Sequence, residues 1–182
     1  LSKQNDGLQR EVAALRGRNE ELVRQLDLTN KRIDELNTRL VKLEPMTVMV
    51  DGVQVEAQAG ERKAYDAAIA LLRQGNYLQS QSALEQFMLR YPVSGYKPSV
   101  LFWLGNAQYA NRQFEQAKAS FASLVAQFPK HMRVPESKLA LANCQLELKD
   151  LKGAKLTLKE LTETHPQSEA AKTADQRLKA LQ

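Results

Sequence analysis

Three prolines, Pro92, Pro129 and Pro166, stand 37 residues apart, and four further columns keep the same step. Tyr77, Phe114 and Leu151 form one column and Ser80, Ala117 and Ala154 the next; Leu84, Phe121 and Leu158, then Phe87, Leu124 and Leu161, complete the set. The residue before each proline is bulky: Tyr91, Phe128 and His165. A period of this size marks one supersecondary unit stacked on copies of itself, because a single unit cannot bury its own apolar face. The small column lets two helices approach closely, the bulky ones fill the space between them, and the proline follows the second helix because it cannot continue it. Gly75 stands at the turn before Tyr77, where the other two periods carry Arg112 and Lys149.

Bulky, small, bulky, bulky, proline resembles the second half of a tetratricopeptide repeat, a pair of antiparallel helices with a basic unit of about 34 residues. The extra length per period falls between repeats, around Pro92 to Pro98 and Pro129 to Pro135. Leu104-Gly105 fits the Leu-Gly of the first helix of such a unit, with Ala67-Ala68 and Leu141-Ala142 as variants. Ser168 reads as the N-cap of a closing helix with Glu169 in its first turn and an apolar stripe at Ala171, Ala174, Leu178 and Leu181. The expectation is an all-α fold: residues 61–182 form a three-repeat α-solenoid (61–97, 98–134, 135–167) with a C-terminal capping helix at 168–182.

Residues 1–44 carry a different repeat. With Leu1 at d, the a positions are Asn5, Val12, Asn19, Leu26, Ile33 and Leu40, and the d positions are Leu1, Leu8, Leu15, Leu22, Thr29, Leu36 and Leu43. Ten of these thirteen are aliphatic and the register never slips, so the segment is expected to be a parallel coiled-coil stalk. At roughly 1.5 Å per residue it would be about 65 Å long. Glu11 at g faces Arg16 at the next e, and Arg39 faces Glu44 in the same way. Asn5 and Asn19 at a specify register and often mark dimers. Arg39-Leu40-Val41-Lys42-Leu43-Glu44 instead resembles a trimer-favouring pattern in which the Arg stem covers the neighbouring seam and its head meets the Glu. The expectation is a homotrimer built on Leu26, Ile33, Leu36, Arg39, Leu40, Leu43 and Glu44, with a dimer as the second choice.

Pro45 ends the helix. In the linker, residues 45–60, Val48, Val50, Val53 and Val55 flank Asp51-Gly52, a hairpin-turn dipeptide between β-prone residues. A lone two-stranded ribbon is marginal in water, so a short hairpin and a flexible hinge both remain open.

Composition narrows the function. Twenty-six basic against twenty-one acidic residues leave a net charge of +5, spread along the chain without a block of like charge, which argues against a nucleic-acid patch. No run of apolar residues reaches the length of a membrane span, and no signal peptide is visible at Leu1, as in a mature, already cleaved product. One cysteine, Cys144, excludes an intramolecular disulfide framework and reads as a small buried residue on a first helix. His131 and His165 belong to different turns and form no metal pair. Glu20 and Glu21 adjoin on the stalk, not across a cleft, and there is no Gly-rich phosphate loop. No catalytic residue, metal or cofactor is expected.

Binding is the better use of such an array, whose first helices line a concave groove. By register Tyr65, Ile69, Phe102, Asn106, Tyr109, Leu139, Asn143 and Leu146 face it. Asn106 and Asn143 lie one period apart, and each can donate to and accept from an extended peptide backbone. Tyr65, Phe102 and Tyr109 offer apolar area, whereas Trp103 is assigned to the core.

Stalk, linker and array together resemble the CpoB/YbgF family of periplasmic Tol–Pal-associated cell division coordinators. The matching stretches are Val50-Asp51-Gly52, Tyr65-Asp66, Gly75-Asn76-Tyr77, Phe87 to Pro92, Trp103-Leu104-Gly105-Asn106-Ala107 and Cys144-Gln145. The resemblance implies a secreted periplasmic protein with its signal peptide removed, trimeric through the stalk and binding TolA. It further implies a role coordinating septal peptidoglycan synthesis with outer-membrane constriction, alongside a peptidoglycan synthase and its lipoprotein activator. A tetratricopeptide adaptor of outer-membrane assembly or secretion is the alternative.

Overall fold

The computed structural model describes residues 2–41 and 45–181. Leu43 and Glu44 of the proposed trimer pattern, and Leu1 of the seam, lie outside the described residues. The chain divides into two compact units, residues 1–44 and 45–182.

The first unit is one helix, α1 (Ser2–Val41). Its surface charges pair along the helix, with Lys31 on Asp27 at 2.9 Å and Arg24 on Glu21 at 3.3 Å. The heptad residues point into solvent: Leu26, Ile33, Leu36 and Leu40 are between 48% and 62% exposed.

The second unit opens with a hairpin, β1 (Met46–Val50) and β2 (Val53–Ala57), paired antiparallel with Val50 opposite Val53 and Val48 opposite Val55. Asp51 and Gly52 both take positive φ, 47° and 74°, as a two-residue hairpin turn requires. Seven helices follow: α2 (Ala59–Arg73), α3 (Tyr77–Arg90), α4 (Lys97–Ala110), α5 (Phe114–Gln127), α6 (Val134–Glu147), α7 (Leu151–Thr164) and α8 (Glu169–Ala180). Each packs on the next in sequence order, and α2, α4, α6 and α8 also touch one another in turn, so α3, α5 and α7 form a second layer.

The columns found in the sequence occupy equivalent places. Ser80, Ala117 and Ala154 are fully buried where the paired helices cross. The Ser80 hydroxyl donates to the carbonyl of Ala68 at 2.8 Å, which satisfies a polar group in a position otherwise held by Ala. Leu84, Phe121 and Leu158 fill the space between paired helices. The larger Phe121 faces Gly105, where an added Cβ would come within 2.7 Å of its ring, while Leu84 and Leu158 share their clusters with Ala68 and Ala142. Tyr91, Phe128 and His165 are C-caps with extended φ of −128° to −136°, the conformation a following proline imposes. Ser168 caps α8 by accepting from the Ala171 N–H at 3.1 Å.

The hairpin is part of this core. Val50 and Ala57 are buried in the first cluster with Ala68, Leu84, Phe87, Tyr96, Val100 and Leu104, and Val48 and Val55 pack against it. Its inner face is thus the face carrying those valines, and Thr47, Met49, Gln54 and Glu56 point outward. A marginal ribbon is held in place because half of it is covered by helices.

Candidate peptide groove and the hairpin clasp

Between α4, α6 and α8 lies an open cavity of about 500 Å³. Phe102 and Asn106 from α4 and Leu139 and Asn143 from α6 line it, with Met132 and Glu136 at one end and Ser168, Glu169 and Thr173 of α8 as the facing wall. Asn106 and Asn143 share it because a 37-residue step returns the same helix face in the next repeat. Asn106 is anchored by its own helix: its Nδ2 donates to the Phe102 carbonyl at 2.8 Å. Asn143 is left open, with a buried Oδ1 that accepts no hydrogen bond. Leu139 is half-buried, packed against the third core cluster while still reaching the cavity.

The other four residues assigned to the groove lie elsewhere. Tyr65 stacks on Tyr96 with ring centroids 4.7 Å apart and lines a second cleft against the hairpin's own Thr47 to Asp51. Burial, and then the Asp51 carboxylate, push its phenol up to about 12. Ile69 is buried, at 8% exposure. Tyr109 packs edge-on to Phe114 and its hydroxyl donates to Glu147 Oε1 at 3.3 Å. Leu146 is half-buried near the end of α6, away from the cavity lining. The hairpin explains the difference at Tyr65: it lies against the start of the groove and takes up a surface the register alone leaves open.

A buried polar cluster fastens that hairpin, and sequence reading missed it. Arg133, the N-cap residue of α6, donates from Nη2 to Asp51 Oδ1 at 2.6 Å and from Nη1 to Glu136 Oε2 at 3.0 Å. Its guanidinium lies over Phe102 and Trp103, 4.8 Å and 5.2 Å from their ring centroids. The Ser99 hydroxyl donates to the other Asp51 oxygen. Burial acts against the Asp51 charge, but the bonds from Arg133 and Ser99 outweigh it and hold the carboxyl below its usual range. Trp103 is therefore half in the core and half a platform for this cation. The dipeptide Asp51-Gly52 announces a turn; nothing in the sequence announces a cation 82 residues later.

Other polar contacts repeat with the period. Ser120 donates to Gln108 Oε1 at 2.7 Å and Thr157 to Gln145 Oε1 at 2.9 Å, each tying the first helix of a pair to the second. Buried Lys138 donates to Glu160 at 2.6 Å and Thr164 at 3.2 Å. Cys144 is fully buried, and burial pushes its thiol up to about 11, far from thiolate chemistry. Among the described residues no group of three or more His, Cys, Asp and Glu gathers around a common point. No described helix is long and apolar enough to cross a membrane.

Helix pairs stacked in two layers define an α-solenoid. Models of the tetratricopeptide repeat match residues 65–111 and 109–178, and this part of the chain is a tetratricopeptide-repeat array. No curated protein matches the chain significantly. Among solved structures it is similar to PcrH from Pseudomonas aeruginosa, at 20% identity and a TM-score of 0.58, over 69% of this chain and 93% of that one. It is similar to the type III secretion chaperone SycD of Yersinia enterocolitica in complex with a peptide of the translocator YopD, at 18% identity and 0.57, over 69% and 91%. A third is the first repeat domain of Spaghetti (RPAP3) bound to an HSP90 peptide, at 16% identity and 0.56, over 66% and 89%. At these identities the likeness is one of fold.

Proposed function

We propose that this protein is a non-enzymatic periplasmic scaffold that grips a segment of another polypeptide in the cavity between α4, α6 and α8. We assign that partner to TolA and the protein to the CpoB/YbgF family, with a role in coordinating septal peptidoglycan synthesis and outer-membrane constriction. A peptidoglycan synthase and its lipoprotein activator are the further partners this family assignment brings. The observation that carries the binding role is the buried, unpaired Oδ1 of Asn143 in the lining of a cavity that mixes apolar and polar side chains. A buried acceptor without a donor costs stability, and an incoming backbone or side-chain N–H removes that cost. The family assignment is supported by the order of parts: a helix with a mostly aliphatic heptad stripe in one register, an Asp-Gly hairpin, then the repeats. The stripe is best satisfied by a parallel trimer of α1, with a dimer second.

The test is calorimetry of the full chain with the periplasmic part of TolA. Replacing Asn106 and Asn143 together with Ala weakens binding while helicity stays unchanged; unaltered affinity removes both from the groove. The rival reading, a secretion adaptor, draws on PcrH and SycD, whose matched regions cover nearly all of each of those chains. It is distinguished by an affinity for secreted translocator-type peptides greater than that for TolA.

A further inference from the structure

The cavity between α4, α6 and α8 holds carboxylates and no cation in its lining. Three of its side-chain donors are used inside the chain. Asn106 Nδ2 donates to Phe102 O at 2.8 Å, the Ser168 hydroxyl to His165 O at 2.9 Å, and the Thr173 hydroxyl to Glu169 O at 3.1 Å. Four of its acceptor atoms take no hydrogen bond among the described residues. Asn143 Oδ1 is buried without a partner, and Asn106 Oδ1 takes no hydrogen bond among the described residues. Glu136 is held through Oε2 by Arg133 and Glu169 through Oε1 by Lys172 at 2.6 Å, so each keeps a second oxygen free at the rim. No Lys or Arg lines the cavity. Nearby Arg133 is shared between two carboxylates, Asp51 and Glu136, which leaves that end net negative.

We propose that this cavity recognises an internal, apolar segment bearing lysine or arginine, and that it disfavours acidic segments and free carboxyl termini. Phe102, Met132 and Leu139 supply apolar area for the segment's aliphatic side chains. Glu136 and Glu169, both in the lining, receive its cations. Asn143 Oδ1 takes an N–H from its backbone. A chain-terminal carboxylate finds no cation among the lining residues and meets two charges of its own sign, which costs affinity. The inference rests on the groove being the binding site and adds what it selects.

The experiment uses the full chain and three capped peptides of about twelve residues, long enough to cross a groove between three helices. One is built from Leu, Ser and Lys, one has Glu at the Lys positions, and one has Ser there. Fluorescence anisotropy is expected to rank them Lys, then Ser, then Glu. The Lys peptide should lead the neutral one by about fivefold, a lead that shrinks in roughly 0.5 M salt. Glu136→Gln with Glu169→Gln keeps an acceptor for Arg133 and should remove the lead of the Lys peptide over the neutral one. A Glu peptide that binds as tightly as the Lys peptide overturns the proposal. So does a Lys preference that survives the double variant, or no binding of the Lys peptide up to about 1 mM. Leu139→Asp separates the two readings. If it abolishes binding of every peptide, the groove stands whatever the ranking; if it changes none, the groove itself is the wrong site.

Discussion

Gly75, Arg112 and Lys149 share one backbone geometry, with φ of 79°, 59° and 63°, and only the first is the residue that tolerates it freely. An L-residue in the left-handed region costs about 1 kcal/mol, partly offset because Gly is more disordered when unfolded. Arg112→Gly and Lys149→Gly should therefore each add about 0.5 kcal/mol, read as a raised urea midpoint at constant slope. Gly105 is the opposite case. Gly105→Ala forces its Cβ into the Phe121 ring and should cost about 2 kcal/mol, with Phe121→Leu recovering much of it, since Leu84 and Leu158 stand opposite Ala in the other repeats. Asp51 gives a pH dependence. Its folded carboxyl titrates below the unfolded one, so its contribution is complete above about pH 5 and is lost as pH falls through the folded value. Asp51→Asn keeps the turn residue's tolerance of positive φ and should lower stability by about 2 kcal/mol at neutral pH. It should also flatten the acid limb of the pH–stability curve; an acid limb identical to that of the parent chain would show that another carboxylate governs it.

At the scale of elements, the helices were legible because their signals are local. The 37-residue columns, the prolines after Tyr91, Phe128 and His165, and the Ser168 cap each act within a turn or two of themselves. The hairpin was legible as a turn but not as a docked element, because its docking depends on Arg133 and Ser99, far along the chain. Of the residues assigned to the groove, Phe102, Asn106, Leu139 and Asn143 line one cavity, whereas Tyr65 lines a cleft against a hairpin whose position register cannot supply. The Gln108–Ser120 and Gln145–Thr157 bonds left a signal that could have been read, a polar pair recurring at one period. Helix α1 makes its own prediction. Replacing Leu26, Ile33 and Leu40 with polar residues leaves the second unit's clusters untouched, so the variant should be a folded monomer with the helicity of residues 45–182 retained. Sedimentation or light scattering reads the mass; an unchanged oligomer would place the association elsewhere.

At the scale of the second unit as a whole, a solenoid made only of neighbour-to-neighbour contacts unfolds piecemeal, each repeat fraying according to its own stability. This one carries a clasp between residue 51 and residue 133, joining the segment ahead of the first helix pair to the start of α6. To open the last helix pair is to loosen the hairpin, and to loosen the hairpin is to uncover the first core cluster. The clasp is thus expected to couple the melting of the first repeat to that of α6. Cutting the clasp should split one sharp thermal transition into two shallow ones, so that hydrogen exchange in α7 and α8 outpaces that in α2 to α4. A protein built from repeats, which chemistry permits to come apart link by link, gains through this clasp a coupling between distant links that neighbour-to-neighbour packing alone does not supply.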